Sequence, residues 1–60
     1  MPDTELISCA NELRTRAEEI LVRAAGADDP EVQGMMRGIA AGYDKLARRV
    51  EQRVREAETT

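Results

Sequence analysis

The chain has no histidine, tryptophan or phenylalanine, and its 60 residues include one cysteine (Cys9), one tyrosine (Tyr43) and one serine (Ser8). Each scarcity excludes a class of chemistry. A single thiol makes no internal disulfide framework. One thiol without histidine leaves no zinc site of the usual ligand set. One serine without histidine leaves no Ser-His or Cys-His nucleophile pair. One aromatic side chain leaves no row of rings on which nucleic-acid bases stack. Long apolar runs are also missing. The longest early stretch without charge is Leu6 to Asn11, against the roughly 20 residues that a spanning helix needs. The first residues, Met1-Pro2-Asp3, show no basic stretch followed by an apolar run. The expectation is a soluble cytoplasmic protein with its thiol reduced, with no cofactor, no metal and no enzymatic activity.

What is present is a pattern of small and large apolar residues at helical spacing. Leu6, Ala10, Leu13, Ala17, Ile20 and Ala24 recur at alternating intervals of four and three, and Ile7 and Leu21 widen that stripe. A strand would show a period of two. Asp3 and Glu5 put negative charge into the first turn, which suits a helix N-terminus. Gly26 follows Ala24 and Ala25 and predicts a left-handed stop. Asp29-Pro30-Glu31 supplies a capping oxygen, a proline at the first helical position and an acid in the first turn. Val32, Met36, Ile39, Tyr43, Leu46 and Val50 then repeat at four and three, continued by Val54 and Ala57. These signals predict one domain: a helix at about 4–25, a loop at 26–29, a helix at about 30–57 and a frayed tail at 58–60. The fold class is all-α, an antiparallel two-helix hairpin, because short loops join antiparallel neighbours.

A 60-residue chain without disulfide or metal is marginal as a monomer. Folding back about the loop makes the first helix run out opposite residue 51 or 52, which leaves Val54 and Ala57 without cover. Both points predict a homodimer in which two hairpins form a four-helix bundle. The buried seam is expected at Leu6, Leu13, Ile20, Val32, Met36, Ile39, Tyr43, Leu46 and Val50.

Charge supports the fold-back. Residues 1–31 hold eight acids and three bases, whereas residues 32–60 hold six bases and four acids. The same register sets Lys45 near Glu12, Arg49 near Glu5, Arg53 near Asp3, and Arg37 near Glu18 and Glu19. Glu12–Arg16 and Glu19–Arg23 are favourable pairs one turn apart. The basic stretch from Lys45 to Arg55 is interleaved with Asp44 and Glu51, and the whole chain is acidic at net −3. It reads as a solvated face, without nucleic acid as a partner.

Gly34, Gly38 and Gly42 fall at intervals of four. Each costs about 0.8–1.0 kcal/mol against alanine inside a helix. Close approach of another helix backbone would offset that cost, either within the hairpin or between chains. The membrane form of such a motif is excluded by a composition that is 35% charged. Met35 and Met36 read as core or dimer interface, and Tyr43 as a packed ring. Cys9 reads as small apolar filler beside the seam. The interface candidates are therefore Gly34, Gly38, Gly42, Met35, Met36, Tyr43, Val50, Val54 and Ala57.

Ala10-Asn11-Glu12-Leu13-Arg14, Ala17-Glu18-Glu19, Asp29-Pro30-Glu31-Val32 and Gly42-Tyr43-Asp44-Lys45-Leu46-Ala47 together resemble a group of short, uncharacterised alphaproteobacterial proteins. Those carry a "RAEE" helix, a "DPEVR" turn and a "YERLAE" helix. The resemblance spans about residues 10–51 and implies a helical hairpin without implying an activity. This chain departs from the group at Gly34 and Gly38, where such proteins have better helix formers. The expected function is a small interaction or regulatory module that associates with itself. The alternative is an adaptor that folds fully only on a larger protein partner, bound through Gly34, Gly38 and Gly42.

Overall fold

The computed structural model describes residues 4–59, which form α1, Thr4–Ala25, and α2, Pro30–Thr59. The chain is all-α and folds as an antiparallel two-helix hairpin. Its length of 48 Å is close to the ~45 Å that the 30 residues of α2 span at about 1.5 Å each. The helix passes residue 57 and includes 58 and 59, the first two positions of the expected tail. The roles read for Asp3 and Thr60 lie outside the described residues.

The start of α2 is built as its residue types dictate. The Glu31 backbone N–H donates to Asp29 Oδ1 at 2.9 Å. The Gln33 N–H donates to the Asp29 carbonyl at 2.9 Å, the first helical bond. Asp29 is thus the N-cap, and Pro30 sits where its missing N–H costs nothing. The end of α1 differs from expectation. Gly26 does not adopt a positive φ. Instead its N–H donates to the Arg23 carbonyl and the Ala27 N–H to the Ala24 carbonyl, both at 3.1 Å. The last turn tightens onto carbonyls three residues back, so the helix closes without a left-handed residue. A side chain from α2 then caps it, as Gln33 Nε2 donates to the Ala24 carbonyl at 2.9 Å.

The core corrects the expected seam. Buried between the helices are Ala10, Ala17 and Ala24 from α1, and Ala40, Ala47 and Val54 from α2. Each set repeats every seven residues, the period at which one line of a helix keeps facing a partner. Five of the six are alanines, so the small side chains and not the large ones meet at the contact. Leu6, Leu13, Ile20, Met36, Tyr43 and Val50 are half-buried, and Val32, Ile39 and Leu46 are exposed. A seam of methyl groups draws two backbones together, and bulkier side chains are then displaced to its margin.

The register is shifted from the simple fold-back. Val54, expected to lack cover, is buried and shares a groove with Ile7 and Ala10, while Ala57 is exposed. Gln33, not an earlier residue, stands against the end of α1 at Ala24. The shift also changes the charges. Arg14 Nη2 donates to Glu51 Oε1 at 2.7 Å, a pair the simple register does not predict. Lys45 with Glu12, Arg49 with Glu5, and Arg37 with Glu18 or Glu19 form no ion pair among the described residues. Glu12–Arg16 and Glu19–Arg23 form none either.

Candidate functional site

The two flanks of the alanine seam are unlike each other. On one flank, α1 presents Ile7, Arg14 and Leu21, and α2 presents Arg37, Asp44, Glu51 and Glu58, each set repeating by seven. The Arg14–Glu51 bridge closes this side. On the other flank, α1 presents Leu6, Leu13 and Ile20, and α2 presents two parallel lines, Met36-Tyr43-Val50 and Val32-Ile39-Leu46. Leu6 and Val50 line one groove at the open end of this side. The nine side chains are the seam that the sequence predicts, but they lie on one broad face of the hairpin and do not form its interior. Val32, Ile39 and Leu46 are 42%, 52% and 48% exposed. Arg53 continues their line at the next interval of seven.

The other candidate residues divide between this face and the back of α2. Met36, Tyr43 and Val50 belong to the face. Val54 is used up inside the hairpin. Gly34, Gly38 and Gly42 lie on the outward side of α2, and a Cβ built on any of them meets nothing within 4 Å. Their cost is therefore not offset by the intrachain contact. Met35 stands beside them, 65% exposed. Cys9 is exposed, not buried filler. It occupies the edge of α1 just beyond the Leu6-Leu13-Ile20 line.

Ala40 and Ala47, at the centre of the contact, are absent from the sequence-derived seam. The signal for them was present: Ala40, Ala47 and Val54 repeat by seven in the same way as Ala10, Ala17 and Ala24. Large apolar neighbours at spacings of four and three masked it.

Among the described residues no polar or charged side chain is buried. No cluster of three or more histidine, cysteine or acidic residues is placed to hold a metal ion. None of the described helices is long and apolar enough to cross a membrane. Comparison with protein-family models, with curated proteins and with solved structures finds no match to this chain. What the surface offers chemically is one extended apolar face with charged rims.

Proposed function

We propose that this chain is a small, non-enzymatic interaction module of the cytoplasm whose first partner is a second copy of itself. The two copies close into a four-helix bundle through their apolar faces. The observation that carries this reading is the one-sidedness of the hairpin. Nine large apolar side chains share one face, and the hairpin itself buries only five alanines and a valine among the described residues.

Burying a large apolar side chain is worth about 1.5–3 kcal/mol, against about 0.8 for a methylene-sized group. Three of the nine side chains are exposed and six only half-buried, so part of this stabilisation is not realised in one hairpin. A second identical face is self-complementary under a twofold axis and completes a core of the bundle type. The lack of histidine and the single serine support a role carried by binding and not by catalysis. The likeness to short alphaproteobacterial hairpin proteins accords with such a module.

The test is solution mass by light scattering over a hundredfold dilution, with helicity recorded on the same samples. The expected result is twice the chain mass of 6.7 kDa, high helicity, and a melting midpoint that rises with concentration. A helical monomer at all concentrations would refute the reading. A weakly helical monomer would shift it to the adaptor that needs a larger partner.

A further inference from the structure

Resting on the self-association proposed above, the unequal share of the two helices in the apolar face specifies which of them meets the partner. We infer that the two copies join α2 to α2, running antiparallel, with their loops at opposite ends.

The helices match beside the alanine seam and differ one line further out. Leu6, Leu13 and Ile20 on α1 and Met36, Tyr43 and Val50 on α2 flank the seam, all half-buried. Three residues beyond each of these stand Cys9, Arg16 and Arg23 on α1, and Ile39, Leu46 and Arg53 on α2, all exposed. Val32 extends the α2 line by one further interval of seven. The next line outward is Glu5, Glu12 and Glu19 on α1, whereas on α2 it begins with Met35, which is 65% exposed. The apolar face therefore stops at the first line of α1 and runs on across α2.

The surface area suits a second copy as the cover. The hairpin exposes 4981 Å², whereas a compact protein of its 6.7 kDa exposes about 3,900 Å². The excess of roughly 1,100 Å² per copy is more than the ~800 Å² that each partner buries in a standard interface.

Two twofold arrangements bring the faces together with antiparallel neighbours. An axis along the helices keeps every level of the hairpin and sets α1 of one copy beside α2 of the other. In the register marked by Arg14 and Glu51, Arg16 then comes within one turn of the partner's Leu46, and Arg23 within one turn of the partner's Ile39. Guanidinium groups would lose water against an apolar line that offers them no partner. An axis across the helices sets the α2 line against itself. Val32 and Leu46 lie one interval of seven to either side of Ile39, so reversing the helix returns the same row of large apolar side chains. That row covers itself with apolar surface and leaves Arg16 and Arg23 outside the contact.

The experiment reads orientation and helix separately, after the mass has shown a dimer. Asp28 lies exposed in the loop. An Asp28→Cys, Cys9→Ala chain with a spin label there should give a label separation of at least about 30 Å, because twenty or more residues of helix at about 1.5 Å each then lie between the two loops. A shorter separation would overturn the inference while leaving self-association intact. A monomer mass would instead remove the reading on which it rests. The second arm compares Leu46→Glu with Arg16→Glu, equivalent positions on the two helices. Leu46→Glu should weaken dimerisation at least about tenfold, and Arg16→Glu should change it by less than about threefold. Equal effects of the two would refute an α2-centred contact. The labelled chain keeps every residue of the apolar face, so it reports the orientation even where Leu46→Glu fails to fold.

Discussion

At the residue scale, the three glycines of α2 are the least economical feature of the chain. Gly34, Gly38 and Gly42 stand in open space on the outward side of the helix. Nothing in the hairpin offsets the ~0.8–1.0 kcal/mol that each costs relative to alanine. Gly38→Ala should accordingly raise stability by about that amount in chemical denaturation, with the solution mass unchanged. A loss of stability would show another backbone packed against that surface, as the adaptor reading requires. Their spacing was plain in the sequence, but the side of the helix contact on which it falls was not. Gly26 carries a related lesson. It is correctly read as a terminator, yet it ends α1 through bonds to carbonyls three residues back and through the Gln33 amide, without a left-handed turn. The Asp29 cap, by contrast, was fully legible, because capping is decided within three residues of chain.

At the scale of the element, each helix is defined by a seven-residue repeat of small side chains. Ala10, Ala17 and Ala24 meet Ala40, Ala47 and Val54, and the closeness of that approach decides every other contact. Ala17→Leu gives up little helix propensity and adds a larger apolar group. By composition alone it would stabilise. In this seam it should instead destabilise by about 1–3 kcal/mol, because three extra carbons have no space between closely packed backbones. Urea or guanidinium midpoints measured beside an exposed Val22→Leu control (Val22 is 73% exposed) would decide it. An unchanged or raised midpoint would contradict the alanine seam. The Arg14–Glu51 bridge is a lesser contributor. Both side chains are more than a third exposed, so solvent screening holds its worth to at most about 1 kcal/mol. Its value lies in marking the register in which the two helices meet.

At the scale of the whole molecule, the hairpin is two-faced. One flank carries the ion pair and mixed charges, and the other carries nine large apolar side chains in three lines. Ile39, in the middle of the exposed line Val32-Ile39-Leu46, is the most sensitive point for association. Ile39→Lys should halve the solution mass, or raise the dissociation constant by two orders of magnitude, since it places an unpaired charge where about 1.5–3 kcal/mol of burial is available in each copy. Val22→Lys, on the outward side of α1, should leave the mass as it is. Sizing both variants at equal concentration checks this, and equal masses would exclude the face from the interface.

The sequence by itself determined the helices, the loop between them, the cap at Asp29 and the membership of the apolar stripe. Those follow from interactions within four residues, where spacing and side-chain type are sufficient. Only the tertiary structure decided which half of the stripe is core and which is surface. In a stripe where leucines and alanines alternate, either set can form the contact. The alanines take it because their small side chains let the backbones approach, and that choice displaces the leucines and isoleucines onto one open face. The same approach fixes the register, buries Val54 and joins Arg14 to Glu51. These are relations between residues far apart in the chain, set by the shape of the contact, which no local window of sequence contains.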